Sequence, residues 1–360
     1  PSLVSFPFSF TIILSLFISA KTNIYVLGVG SVVAAASQLV LCIPFLRKMG
    51  YTHRIFLDFR DRDMKEMIFI ALPVIVGTAV NEINVLVNRT LASGIAEGGI
   101  SALNYANRLN GFVQGLFVVS VTTVLYPMIS RMAAEGNMKS LKAYLAEAIS
   151  MVNLFVIPAT AGAMVFAREI VTLLFGRGAF TVEAVNMTAS SLFYYSLGMV
   201  AFGLRDVLTR AFYALQDTRT PMINATIAVV INIVLNIVMS RFLGIGGLAL
   251  ATSISGIISA LLMFVTLRKK IGPFGLKEVT TSFVKIASAS ILMGIVAYIS
   301  FRFFRLFVSQ NMALLAAVAV GTLIYGTLIL FMKIPEVDRT VESVKRRIRK
   351  RFVSTTEPEN

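Results

Sequence analysis

The stretch LGIGGLALATSISGIISALLMFVTL, residues 243–267, lies between Arg241 and Arg268 and contains no charged side chain. A helix needs roughly 20 apolar residues to cross the hydrocarbon core of a bilayer, and this run is long enough. Inside lipid, every backbone N–H and C=O must find its partner within the segment, so the run reads as a helix. A membrane barrel would show short alternating segments instead of continuous apolar ones.

Working outward, runs of the same kind fall at about Val4–Ser19, Ile24–Leu46, Ile68–Leu91, Leu109–Ile129 and Ala148–Phe175. Others follow at Ala189–Leu208, Met222–Met239, Phe283–Phe301 and Met312–Met332. The fold class expected is all-α: a polytopic membrane protein of about ten transmembrane helices. Composition agrees across the 360 residues, with 57% hydrophobic and only 14% charged residues, against roughly 25% charged in soluble domains. Mean hydropathy is +0.81. A soluble enzyme, a disordered chain and a disulfide scaffold are excluded. The single cysteine, Cys42, sits in an apolar run and the single histidine, His53, in a basic loop, so no zinc site is expected.

The net charge of +15 is distributed by side. One set of loops carries Arg47, Lys48, Arg54, Arg60, Arg62 and Lys65, then Arg131, Lys139 and Lys142, then Arg219, then Arg268, Lys269, Lys270 and Lys277. The opposite loops hold only Lys21, Arg177, Arg241, Arg302 and Arg305. Lys and Arg collect in cytoplasmic loops, so the basic side and the carboxyl terminus are expected in the cytoplasm. The tail from Glu336 to Phe352 spaces Val337, Val341, Val344, Ile348 and Phe352 opposite a Lys/Arg cluster. That pattern fits an amphipathic helix on anionic phospholipids. No aromatic stacking platform accompanies it, so no nucleic-acid partner is expected.

Polar residues within spans are costly and usually face a bundle interior or water. Asn81, Asn84 and Asn88 form one stripe, with Glu82 beside it; Asn104, Asn107, Arg108, Gly111 and Gln114 form another. Asn224, Asn232 and Asn236 lie in the seventh run. Such amides serve either as interhelical hydrogen-bonding glue or as a substrate or ion site. Arg108 needs an anion or a water-filled space, unless it snorkels to the headgroups. Asp206 and Arg210, four residues apart, read as a local ion pair at a helix end. No Ser/His/Asp set, Walker loop or paired intramembrane carboxylate motif is present, so transport rather than enzymatic chemistry is expected.

Three motifs carry a resemblance. They are Ser101-Ala102-Leu103-Asn104-Tyr105-Ala106-Asn107-Arg108-Leu109 followed by Thr123-Val124-Leu125-Tyr126-Pro127; Leu174-Phe175-Gly176-Arg177-Gly178-Ala179-Phe180; and Gly203-Leu204-Arg205-Asp206-Val207-Leu208-Thr209-Arg210-Ala211-Phe212-Tyr213-Ala214 leading into Asp217-Thr218-Arg219-Thr220-Pro221. With them the chain resembles the MurJ (MviN) lipid II flippases, of the multidrug and oligosaccharidyl-lipid exporter superfamily. The resemblance implies a MATE-like second lobe plus two extra carboxyl-terminal helices. By it, residues 1–66 would hold the last two helices of a first lobe and a linker, 67–270 the second lobe, 271–335 the extra pair and 336–360 the basic tail. The chain begins Pro1-Ser2 without an initiator methionine, and alignment on the motifs leaves the family's first four helices unaccounted for, so a piece of a longer protein is expected.

The implied activity is transfer of the undecaprenyl-pyrophosphate-linked peptidoglycan precursor across the bacterial cytoplasmic (inner) membrane by alternating access. The resemblance places Arg108 in a central cavity as a headgroup contact, and Asn104, Asn107 and Asn84 are expected beside it. It places a sodium site at Asn88, Asn232, Asn236 and Thr252. This chain has amides where carboxylates would stand near Asn88 and Asn236, and a neutral set binds a hard cation weakly. No resident cofactor is therefore expected; coupling would involve sodium at that site or a proton at Glu82, unless Glu82 only makes a buried hydrogen bond. Another lipid-linked oligosaccharide exporter or a drug-cation exporter is the nearest alternative. A membrane enzyme or scaffold acting on polyprenyl carriers is the distant one.

Overall fold

The structure, a computed structural model, describes residues 5–50, 64 and 82–332. Every element among them is helical, with no strand. The chain divides into two compact units, 1–71 and 72–360.

In the first unit, α1 (Ser5–Ser19) and α2 (Tyr25–Lys48) form a hairpin. The two helices meet at small residues. A Cβ on Gly30 would fall 2.2 Å from that of Ser15, so glycine is what allows this approach. Ser15 and Ala34 are the buried positions, while Phe6, Phe17, Val32 and Leu39 are exposed. Exposure of large apolar side chains is what a lipid-facing surface requires.

The second unit begins, within the described residues, with helix α3 at residues 82–95. The first part of the expected third span, with Asn81, lies outside them, as do the His53 loop and the carboxyl-terminal tail. A turn at Gly98, in the left-handed region at φ 76°, leads to α4 (Gly99–Val113). A π turn at Gln114–Val118 joins α4 to α5 (Val119–Ala134), so the fourth span is one rod with a local bulge. Gln114 fixes the bulge to a neighbouring helix, its amide donating to the Met199 carbonyl at 2.7 Å.

The fifth span differs from expectation. Instead of one run over Ala148–Phe175, α6 covers Met138–Val165 and a separate short helix, α7, covers Ala167–Phe175. Asn137 caps α6 through the Ser140 N–H at 3.1 Å. The 28 residues of α6, at a rise of about 1.5 Å each, already exceed the roughly 30 Å core. Arg168 and Glu169 follow the break at once. Two charges are costly inside lipid, so the break is where a span would end.

Helix α8 (Val182–Ala214) starts at Thr181, whose hydroxyl accepts from the Ala184 N–H. The next helical stretch, α9 (Arg219–Ile271), contains a break at Gly244, whose φ of 56° and ψ of −133° are not helical. It is two limbs folded back on each other, the expected seventh and eighth spans. A Cβ on Gly247 would strike the Met239 carbonyl oxygen at 2.2 Å, which shows how tight the return is. Helices α10 (Leu276–Phe304) and α11 (Gln310–Phe331) close the unit as a second hairpin.

Seven of the described helical stretches are long and apolar enough to span a bilayer. Resolving α9 into two limbs, and adding the shorter α1 and the partly described third span, accounts for the ten runs in the sequence. The main core joins α4 to α9 around Leu145, Ile149, Met199, Leu208, Phe212, Leu248 and Met263. Two smaller clusters tie α10 and α11 to α6 and α7. Contact between α8 and the second limb of α9 is made by small residues, with Gly198, Gly246 and Gly256 facing Ser253, Ser190 and Phe202. Lipid gives no hydrophobic drive for helix association, so close backbone approach through small residues does that work.

Candidate functional site

Helix α4 is two-faced. Ala102, Leu103, Ala106 and Asn110 are buried against the core, while Asn104, Asn107, Arg108 and Gly111 are exposed. Positions 104, 107, 108 and 111 share one face by helical spacing. The expected stripe therefore exists as a surface, with a guanidinium set among amides. The three ion pairs among the described residues are Arg131–Glu135, Arg210–Asp206 and Lys270–Asp217. Arg108 takes part in none of them. On α3, Asn84 and Asn88 are half-buried, and each has a buried side-chain oxygen without a hydrogen-bond donor. An unsatisfied buried acceptor costs about 1–3 kcal/mol, so both oxygens are open to a donor from a bound group or water.

A second polar cluster sits between the limbs of α9. The Asn236 amide donates to the Asn232 oxygen at 2.9 Å. Asn232 in turn donates to Ser255 Oγ at 3.2 Å and to Thr252 Oγ1 at 3.4 Å. Thr252 donates to the Leu248 carbonyl at 2.9 Å. Nearer the basic end, Asn224 donates to Thr266 at 3.3 Å. Asn232, Asn236 and Thr252 are thus brought together as the sequence resemblance implies. Asn88 stands on a different helix, with no hydrogen bond to them.

The donor set argues against sodium at this cluster. Asn232 presents its N–H groups, not its oxygen, to Thr252 and Ser255, and its oxygen already accepts from Asn236. That leaves the buried Asn236 oxygen and the hydroxyls, and no carboxylate among the described residues bonds to the cluster. Hard cations want six or more oxygens, preferably charged. As arranged, the cluster serves as hydrogen bonding between the two limbs.

Sequence reasoning missed two polar features. Asn153, inside α6, is buried with an unpartnered oxygen; its place in a charge-free run was the available signal. Asp217 was read only as part of a motif, and it organises the end of the α9 hairpin. Its carboxylate accepts from the Thr220 N–H at 3.0 Å, the Thr220 hydroxyl at 2.8 Å and Lys270 at 2.5 Å. The Lys270 bond first, then the Thr220 N–H, hold the Asp217 carboxyl down to about 2. Asp206 and Arg210 form the expected local pair at 3.3 Å, with the guanidinium 5.9 Å over the Tyr126 ring.

The family described as lipid II flippase MurJ matches residues 1–349. The probable lipid II flippase MurJ of Vibrio cholerae is 35% identical over 268 residues, covering 74% of this chain and 51% of the relative. A solved lipid II flippase MurJ in an inward closed conformation is 28% identical, with TM-score 0.78, over 92% of this chain and 67% of that one. The Vibrio cholerae MATE transporter VcmN in its bent form is 15% identical with TM-score 0.51, over 77% of this chain and 64% of that one, and shares the fold alone. The chain spans about half the length of the curated relatives it matches. With the match running through nearly every residue, and the motif-bearing α4 and α8 in the middle of it, this chain belongs to the lipid II flippase MurJ family.

Proposed function

We propose that this chain supplies the second lobe and the last two helices of a transporter that moves lipid II from the cytoplasmic to the outer leaflet by alternating access, for cell-wall synthesis. The observation that carries the reading is the exposed α4 face, which Arg108 shares with Asn104 and Asn107 and where it forms no ion pair among the described residues. A guanidinium inside a membrane protein is expensive unless an anion or water meets it. A pyrophosphate offers paired oxygens that a planar guanidinium grips bidentately. The amides of Asn104, Asn107 and Asn84 add donors for phosphate and sugar oxygens.

In this reading residues 1–66 are the last helices of the first lobe and a linker. Residues 67–270 are the second lobe, 271–335 the added pair beside which the polyprenyl chain runs, and 336–360 a basic tail on anionic phospholipids. The basic loops support a carboxyl terminus on the cytoplasmic side of a bacterial inner membrane. The rigid helical hairpins suit a lobe that tilts as a body while the polar face changes its access. No bonds of the precursor are made or broken, so no nucleophile is needed, and the residues' task is to replace water around the headgroup.

The test uses bacteria depleted of their own flippase and expressing the gene at its native length, with lipid II accessibility at the outer leaflet as readout. Restored accessibility is expected. Arg108→Ala should lower it by roughly tenfold or more, the loss of a charge-assisted contact worth about 1.5–3 kcal/mol. A well-expressed, correctly inserted protein that leaves the precursor inside would overturn the reading.

A further inference from the structure

At the end of the second unit opposite its basic loops, a cavity of about 350 Å³ opens between α7, the start of α8 and the α10–α11 connection. Its polar lining comprises Arg168, Glu169 and Thr172 of α7 with Arg305 and Gln310 of the connection. Both arginines are exposed, and neither is ion-paired among the described residues. Thr172 is already committed, its hydroxyl donating to the Arg168 carbonyl at 2.7 Å. Gly176 packs so closely that a Cβ there would fall 2.5 Å from the Thr172 carbonyl oxygen, so backbone rather than side chain forms that wall.

The lining is held by packed elements. Phe166 meets Phe301 edge to face at 5.6 Å, and Ile170 and Leu173 of α7 pack on the cluster of Phe301, Ala313 and Leu314. Val182 lines the cavity and is 68% exposed, and Leu306 and Phe307, which follow Arg305 in the chain, are 77% and 72% exposed. Four helix ends meet here, where exposed apolar side chains suit contact with lipid.

We propose that this cavity binds the headgroup of a membrane phospholipid carrying both a phosphate diester and a primary ammonium, as in phosphatidylethanolamine. Arg168 and Arg305 supply guanidinium groups suited to the phosphate oxygens. Glu169 beside them opposes a purely anionic ligand and gives the ammonium its counter-charge. The volume lies at the small end of the roughly 300–1,000 Å³ typical of ligand sites, which suits a headgroup better than a sugar–peptide precursor. The exposed apolar side chains at the rim provide a surface for acyl chains, which favours a lipid over a free phosphoester. This inference stands apart from the transport reading.

The test is native mass spectrometry and thermal unfolding of the delipidated full-length protein, with phosphatidylethanolamine, phosphatidylglycerol and soluble glycerophosphoethanolamine as separate probes. Phosphatidylethanolamine should be retained at least tenfold better than either of the others. The double variant Arg168→Ala/Arg305→Ala should lose that retention by about tenfold, and Glu169→Gln should bring the two lipids level. Undiminished retention by the folded double variant would overturn the site. Equal binding of the soluble phosphoester would overturn its assignment to lipid. Should the double variant fail to fold, Arg305→Glu in the exposed connection carries the same test, and an unchanged preference there would also overturn the proposal.

Discussion

Arg108 and Asp217 are both charged residues of the second unit, with opposite fates. Arg108 lies on an exposed helix face and forms no ion pair among the described residues, as the proposed headgroup contact requires. A lysine there keeps the charge but loses the planar fork, so Arg108→Lys should recover export only in part, measured beside Arg108→Ala. Asp217 is spent locally, tying the start of the α9 hairpin to Lys270 near its end. Its folded pKa lies near 2, below the roughly 3.9 of a free aspartate, so its stabilisation is complete above about pH 4 and fades as pH falls towards 2. The pair is partly open to solvent and worth at most about 1 kcal/mol. Asp217→Asn should therefore lower the unfolding temperature by about 1–3 °C at neutral pH, with most of the difference from wild type lost as pH falls to about 2. A gap at pH 2 as large as at neutral pH would mean the capping geometry, not the charge, is what matters.

At the scale of elements, the helices are held by close approach more than by large apolar contacts. A Cβ on Gly198 would fall 2.7–2.9 Å from three atoms of Ser253, whose hydroxyl also donates to the Tyr194 carbonyl at 2.7 Å. Gly198→Leu should force α8 and α9 apart and cost about 1–3 kcal/mol, read as a lowered unfolding temperature in detergent. Gly326 of α11 has open space around it. There Gly326→Ala should be neutral or slightly stabilising, since alanine is the better helix former by about 1 kcal/mol. Equal damage at both positions would show that helix packing at Gly198 is not the cause. The elements themselves were largely legible from apolar runs. The division of α6 from α7 was not, because a run of apolar residues continues through Phe166 and only the charges after it mark the surface.

For the whole molecule, the question of ion coupling rests on the α9 cluster. Its amides bond to one another and to hydroxyls, so exchanging sodium for potassium should move the unfolding temperature by less than about 1 °C, as expected for a ligand far from saturating. A sodium-specific rise of several degrees would mean that the Asn232 and Asn236 amides reorient around the ion. The oxygens of Asn84, Asn88 and Asn236 left without donors are the places where such a rearrangement would start.

The sequence alone determined that the chain is a bundle of membrane helices, and its three motifs pointed to the family. Both follow from short-range facts: the length of uncharged runs against bilayer thickness, and residue order within one or two helices. It also located the stripe on α4, because helical periodicity puts Asn104, Asn107 and Arg108 on one face whatever surrounds them. Which polar residues are already satisfied was decided only by tertiary structure. Asn232 looks as available as Asn104 and Arg108 along the chain, yet it donates across the folded α9 hairpin to Thr252 and Ser255 and accepts from Asn236 on its own limb. The cavity of Arg168 and Arg305 was likewise invisible, since its arginines lie far apart in sequence and meet only where the ends of α7 and α10 converge. A hydrogen bond or a shared pocket depends on distance in space, and that distance is set by packing.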